Sequence, residues 1–302
     1  MPEPSLKNFT VPENPAGASW RLVDYLQKVF PEFKKTKLKQ LLKFGSIAVN
    51  QKPATRHDHP LKPGDVLSVR TDKRSLRADR AEGGLQIIYE DSAIIVVDKP
   101  PKLLTIATDE VKDRTVYYKL NEYLKNVSPR KPERVFVVHR LDREASGILI
   151  FAKSQKVKQC LQDSWEFFEK KYYAVVEGTP SKASDTLQSY LSQTESLKVY
   201  STEEETKNSK LAITKYQVIK RRGGYCSLDV TLLTGRKHQI RVQLADMGHP
   251  IIGDEKYGAE TNPARRLGLH AYLLKITHPV TGEFLKFETK IPSTLSRVTG
   301  TG

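Results

Sequence analysis

Cysteine is nearly absent: the 302-residue chain holds two, Cys160 and Cys226, far apart in sequence. Two distant thiols build neither a disulfide framework nor a cysteine-based zinc site, so a reducing, cytoplasmic compartment is expected. Long apolar runs are missing too. The longest, residues 94–97 and 148–152, have strand length, well below the roughly 20 residues of a membrane-spanning helix, so no membrane association is expected. The opening stretch, MPEPSLKNFTVPENPAG, has no basic segment followed by an apolar one, and no secretion signal is read there. Common phosphate and metal cradles are also lacking: there is no G-x-G-x-x-G after a strand, no Walker-type loop, no H-E-x-x-H and no G-x-S-x-G. Dinucleotide, nucleoside triphosphate and zinc-protease chemistries therefore have nowhere to bind. His57-Asp58-His59 lies in a polar loop without a third ligand of suitable spacing, so neither metal nor cofactor is expected.

What the chain has in excess is positive charge. Fifty Lys and Arg against 35 Asp and Glu leave +15, enough to concentrate a polyanion at the surface before specific contacts form. The excess is uneven. Residues 19–80 hold 15 basic and 6 acidic side chains, a net +9.

Organisation follows from periodicity. Residues 1–18, rich in Pro, Asn and Gly, read as an irregular arm. Ser19 is placed to cap a helix whose Leu22, Tyr25, Leu26 and Val29 share one face, with Pro31 ending it. A second helix over 34–44 turns Leu38, Leu41 and Leu42 inward, with Gly45 as its left-handed terminus. Lys35, Lys39 and Lys43, four residues apart, then form one solvent-facing strip. Short segments at 47–50 and 66–70 suggest a hairpin. Residues 19–70 are thus expected to form a small α/β unit, and 71–84, without apolar periodicity, a linker.

From residue 85 to 302 the pattern is strand-rich. Strands are expected near 85–89, 94–98, 135–138, 147–152, 171–177, 210–220, 225–233 and 269–277. Helices are expected near 115–124, 156–169 and 236–247. Strands adjacent in sequence with occasional helices imply an α+β domain on a mixed, largely antiparallel sheet.

Two segments concentrate reactive side chains. In the first, His139-Arg140-Leu141-Asp142-Arg143-Glu144 lies between two apolar strands, an arrangement that holds a carboxylate still at a sheet edge. In the second, Thr234 is placed to cap a helix whose first turns carry Arg236, Lys237, His238 and Arg241. Four cations there oppose the helix dipole and call for an anion, either a phosphate or a carboxylate such as Asp142.

Together with Ser146-Gly147, Lys171-Tyr172-Tyr173-Ala174, Val97-Asp98-Lys99-Pro100, Gly248-His249-Pro250 through Gly258, and Leu269-His270-Ala271, these motifs resemble the RluA family of RNA pseudouridine synthases. Residues 37–50 and 61–67 resemble an S4 RNA-binding domain. Two departures stand out: Ala145 replaces the usual Thr or Ser, and residues 101–105 lack the customary Gly and His.

The resemblance implies isomerisation of uridine by breaking its N1–C1′ bond and rejoining the base through C5, which needs no redox partner. It implies that Asp142 is the essential carboxylate, acting as nucleophile at the sugar or as base at C2′. Arg241 would be its salt-bridge partner, favouring the charged form, and Tyr172 would stack on the base and help remove the C5 proton. Arg140 would fill the space left by the flipped nucleotide, with His139, Arg236, His238, Lys35, Lys39 and Lys43 on the RNA. The RNA is expected to be ribosomal, with transfer RNA the second option, and the protein monomeric. Two other functions fit parts of the sequence: a non-catalytic RNA-binding protein, and a glycosidase-like hydrolase with Asp254 or Glu255 as second carboxylate.

Overall fold

The computed structural model of the chain describes residues 6–14, 19–33, 35, 38, 41–42, 47–50, 52–54, 56–70, 80–81, 85–108, 111–127, 133–194 and 198–300. Its contacts divide it into two compact units: residues 1–80 with 86–96, and residues 81–85 with 97–302.

In the first unit, β1 (Leu6–Thr10), β2 (Trp20–Arg21), α1 (Leu22–Val29), β3 (Ile47–Val49), β4 (Lys52–Pro53), β5 (Pro60–Leu61) and β6 (Val66–Arg70) follow in order. A small antiparallel sheet runs β1-β6-β3-β4. Leu22, Tyr25 and Leu26 face a core shared with Leu38, Leu42, Ile47, Leu61 and Leu67. Two expectations are corrected. The N-terminal arm is not irregular throughout, because Leu6–Thr10 pairs along β6 and Phe9 meets Phe30 edge-on at 5.4 Å. The first helix starts at Leu22, after Arg21, because Trp20 and Arg21 are already paired with Leu61 and Pro60. Of the second expected helix only Lys35, Leu38, Leu41 and Leu42 are described; Lys39, Lys43 and Gly45 lie outside the described residues, as does most of the expected linker at 71–84. Lys35 is exposed.

The chain continues through β7 (Arg80–Ala81), β8 (Leu85–Glu90) and β9 (Ile94–Lys99) to α2 (Val116–Val127), β10 (Phe136–Val137), β11 (Ser146–Ala152) and α3 (Gln155–Asp163). Next come β12 (Glu169–Glu177), β13 (Ser184–Gln193), β14 (Val199–Thr202), β15 (Lys210–Arg222), β16 (Tyr225–Leu232), α4 (Gln239–Asp246), β17 (Leu269–Thr277), β18 (Phe284–Glu288) and α5 (Ser293–Thr299). Within the second unit the sheet runs β14-β13-β15-β16-β12-β17-β11, with β10 on β11 and β18 on β17. Only β11 against β17 is parallel among these pairs; the others are antiparallel. The α+β, mixed-sheet architecture is therefore as the sequence suggests. Strands β13, β14 and β18 and helix α5 go beyond the sequence expectation. β13, SDTLQSYLSQ, is half-exposed along most of its length and has no apolar alternation to read.

Two helices are shorter than periodicity implies. α3 is capped by Ser154, whose Oγ accepts from the Val157 N–H, and stops at Asp163; a three-residue 3-10 turn, Trp165–Phe167, follows. α4 begins at Gln239 and not at Arg236, because Thr234 does not cap it. Its Oγ1 accepts from the Ile213 N–H and donates to Gln239 Oε1. α4 is buried nearly all round, which its polar sequence does not advertise. Gln239 donates to Ile213 O and Thr214 Oγ1, and Gln243 to Ser189 Oγ and Ala212 O, so the N–H groups of both buried amides are hydrogen-bonded to the sheet beneath, while Gln243 Oε1 is buried without a partner among the described residues.

Candidate active site

The loop between β10 and β11 carries Asp142, and its backbone is tied down on both sides of that residue. Thr105 Oγ1 donates to Leu141 O at 2.9 Å and accepts from Leu141 N at 3.3 Å. On the other side, the fully buried Lys99 ammonium donates to Arg143 O at 3.1 Å, and to Leu103 O and Pro100 O at 2.8 and 3.0 Å. Burial pushes Lys99 down to about 7 while the charges of Asp142 and Glu144 hold it up. The sequence singles out Lys99 only as part of a motif; its use as a three-way backbone clamp is visible only in the fold.

Where the loop re-enters the sheet, Gly147 has φ +114° and pairs with Ala271 of the parallel strand. A Cβ there would lie 2.1 Å from Ala271 O, so no side chain fits without moving the strand that anchors the loop. Ser146 beside it is held by His270 Nδ1 at 2.7 Å and by Arg266 Nη2.

Asp142 faces the start of α4. Arg241 Nη1 donates to Asp142 Oδ2 at 3.0 Å, the ion pair expected from the sequence. The remaining guanidinium edge donates in bidentate fashion to Asp254, at 2.7 Å through both Nε and Nη2. Asp254 is 2% exposed and has both oxygens committed. It is therefore not available as the second carboxylate of a hydrolase, and Glu255 is exposed outside the cleft lining. Arg241 is thus fixed from behind, with its Nη1 aimed at Asp142. Sequence reasoning does not find Asp254 as the anchor; its only signal is its place in the Gly253-Asp254-Glu255 motif.

Arg236, Lys237 and His238 precede α4 and do not ride on its first turns. His238 adopts a left-handed conformation, φ 54°, that costs a non-glycine residue about 1–2 kcal/mol. It brings Nε2 within 3.7 Å of Asp142 Oδ1 and Nδ1 within 2.6 Å of the Tyr257 hydroxyl. Arg236 Nε donates to Leu211 O, which turns part of its donor set away from any ligand.

These groups line one cleft of about 750 Å³, whose wall includes Arg140, Asp142, Tyr172, His238 and Arg241. Arg140 is exposed and Asp142 keeps 24% of its side chain accessible. Tyr172 is half-buried on β12, and burial, then the charge of Asp142, pushes its phenol upward, so it stays protonated at neutral pH. His139 also lines the cleft, but its Nε2 accepts the Ile150 N–H and its ring lies 4.3 Å from Trp165, so it serves the loop's framework as well. Among the described residues no group of three metal-ligating side chains occurs, and no helix is long and apolar enough to cross a membrane.

Three imidazoles share a downward push. Burial lowers His139 to about 3, and His238 and His270 to about 4, with Lys170 adding to the first, the Asp142 charge opposing the second and Arg266 adding to the third. Each folded value lies below the free imidazole value of about 6.5, so between those limits the unfolded chain binds more protons. Their contribution to stability is complete above about pH 6.5 and is lost as pH falls through about 4. In an NMR titration of the seven histidines, three ring signals are expected to stay neutral at pH 5. Midpoints near 6.5 for all seven would contradict this burial.

Comparison with known proteins gives a consistent result. Residues 93–246, about half of the chain, match the family model "RNA pseudouridylate synthase". The chain is 30% identical over 297 residues to "Ribosomal large subunit pseudouridine synthase D" of Vibrio cholerae, covering 92% of this chain and 90% of that one. It is 31% identical over 304 residues to an "Uncharacterized RNA pseudouridine synthase" of Aquifex aeolicus, covering 93% of each. Among solved structures, "Human RNA Pseudouridylate Synthase Domain Containing 4" superimposes with a TM-score of 0.59 at 23% identity, covering 71% of this chain and 92% of that one, a likeness of fold.

Proposed function

The chain belongs to the RNA pseudouridylate synthase family and is an RNA pseudouridine synthase, and from that premise we propose that Asp142 is its essential carboxylate and large-subunit ribosomal RNA its substrate. One observation carries the assignment of Asp142. It is an accessible carboxylate in a nucleotide-sized cleft, on a loop clamped at Leu141 and Arg143, with a pre-oriented guanidinium 3.0 Å away. Such preorganisation costs nothing at the moment of reaction.

The uridine is flipped into the cleft, at a cost of a few kcal/mol that is least in a loop or bulge. The carboxylate then acts at the ribose, as nucleophile at C1′ or base at C2′, while the N1–C1′ bond breaks. The freed uracil turns and C5 bonds to C1′ as the Asp142–C1′ bond breaks or the C2′ proton returns, which regenerates the carboxylate; the C5 proton then leaves and N1 gains one. Tyr172, kept as a phenol, suits stacking on the uracil better than taking that proton, which calls for a phenolate. Arg140, exposed at the cleft, is the side chain we assign to the gap left in the RNA, its planar guanidinium replacing a base in the stack. His139, Arg236 and His238 complete the RNA-facing wall.

The N-terminal unit supports RNA holding: a self-contained core in a stretch of sequence with high positive charge, which we read as S4-like over residues 19–70, joined by a linker at 71–84 to a catalytic domain over 85–302. The name of the Vibrio cholerae relative supports the ribosomal large subunit as the substrate's source. We take the protein to act as a monomer, and two free cysteines suit the cytoplasm.

Mapping pseudouridines by chemical adduct and primer extension in ribosomal RNA, from cells with and without the protein, tests this reading: at least one large-subunit site should disappear. Unchanged maps would overturn the ribosomal assignment. Replacing Lys35, Lys39 and Lys43 by Ala should weaken RNA binding and reduce the slope of log K against log salt by roughly 2 to 3. An unchanged slope would show that the strip makes no phosphate contacts.

A further inference from the structure

The cleft extends beyond the groups assigned to the reacting uridine. At its far wall stands Trp165, the first residue of the 3-10 turn between α3 and β12. One part of its indole is covered by His139 at 4.3 Å and by Phe168 edge-on at 5.8 Å; the rest lines the cleft. The turn is held rigidly. Lys170, 5% exposed, donates to Trp165 O at 2.7 Å and Glu166 O at 3.4 Å, with its ammonium 5.8 Å from the indole centre. Among the described residues no carboxylate is a hydrogen-bond partner of this ammonium, so two of its three donors are spent on carbonyls and its charge is left to the cleft it lines. Phe167, in the same turn, is 80% exposed.

A fixed aromatic ring and a positive charge in one wall match the chemistry of an unpaired nucleotide, whose base stacks and whose phosphate is anionic. Lys170 and Tyr172 lie two residues apart on β12, both line the cleft, and stand roughly 7 Å from each other along the strand. That is about two base-stacking rises of 3.4 Å. Trp165 and Tyr172 stand on different elements of the cleft wall, the 3-10 turn and β12, and so can meet two successive bases. We propose that Trp165 is a stacking platform for the nucleobase adjacent to the target uridine, with Lys170 facing that nucleotide's phosphate. This rests on the reading of the cleft as the uridine site, and it adds a subsite that tells unpaired flanking sequence from duplex.

The chain has two tryptophans, Trp20 and Trp165, so Trp20→Phe leaves the cleft indole as the sole tryptophan, and excitation at the red edge of indole absorption, where tyrosine does not absorb, reads it alone. Titrating this full-length variant with a stem-loop RNA carrying uridine in its loop should quench the emission. An abasic residue on one side of the target uridine should remove the quench and weaken binding about tenfold. An abasic residue at the target itself should leave the quench in place. Trp165→Ala should lower kcat/KM about tenfold through KM, and Trp165→Phe should restore most of it. Because the abasic substitutions act on an unaltered Trp165, misfolding of the alanine variant would not obscure the result. Quenching indifferent to both neighbouring abasic sites, or full activity in Trp165→Ala, would overturn the platform. Pseudouridine formed without quenching would sink the platform and leave the enzyme assignment standing. Quenching without any pseudouridine would do the reverse.

Discussion

Asp142→Asn is expected to abolish isomerisation, lowering kcat by at least about 10⁴-fold, while RNA affinity stays within a few-fold of the parent. The substitution removes the charge and keeps the shape. The Arg241 N–H can still reach a side-chain amide oxygen placed where it now meets Asp142 Oδ2 at 3.0 Å. Neither clamp on the loop involves the side chain, since Thr105 and Lys99 both act on backbone atoms of neighbouring residues. The fold should therefore be unaffected. A measurement follows from the chemistry itself: RNA made with tritium at uridine C5 releases that label when C5 bonds to the sugar. Release at the parent rate by Asp142→Asn would remove the carboxylate from the mechanism.

The buried Arg241–Asp254 pair separates stability from activity. Asp254→Ala would leave a guanidinium that is 7% exposed with only the half-open Asp142 as partner. Breaking a buried pair in this way costs about 3–5 kcal/mol, readable as a lower urea midpoint. Replacing both members with apolar residues of similar volume, Arg241→Met with Asp254→Leu, is expected to recover most of that loss, because no sealed charge remains uncompensated and Asp142, which loses its guanidinium, keeps 24% of its side chain accessible to water. Activity should not return, since the donor that orients Asp142 is gone. Recovery of stability without tritium release would place the role of Asp254 in holding Arg241. A urea midpoint unchanged by Asp254→Ala would show that the pair is not buried in solution as it is here, and an active double variant would remove Arg241 from the catalytic set.

Much of this arrangement can be read before folding. The apolar strands that flank Asp142 announce a carboxylate fixed at a sheet edge, and the basic cluster at 236–241 announces an anion to be met. Local patterning fails where the fold supplies the partners. α4 reads as a helix from Arg236 with four cations in its first turns, yet it starts at Gln239 and is buried, with the side-chain N–H groups of its two glutamines donating to strands β13 and β15. β13 carries no alternation because most of it is half-exposed, so its pairing with β15 is dictated by the neighbour.

The sequence alone implies the class of chemistry through motifs that resemble the RluA family, and its own patterning adds an acid between strands, surplus positive charge, and none of the cradles that nucleotides or metals require. Tertiary structure decides which groups act and which support them. Asp142 and Arg241 are separated by 99 positions in the chain and come within 3.0 Å only when β11 and α4 are placed together. The same folding that exposes Asp142 to the cleft seals Asp254 behind the guanidinium. Two aspartates of identical intrinsic chemistry thus meet opposite surroundings, because access to water and the number of donors around a carboxylate are properties of the packed molecule and not of the residue.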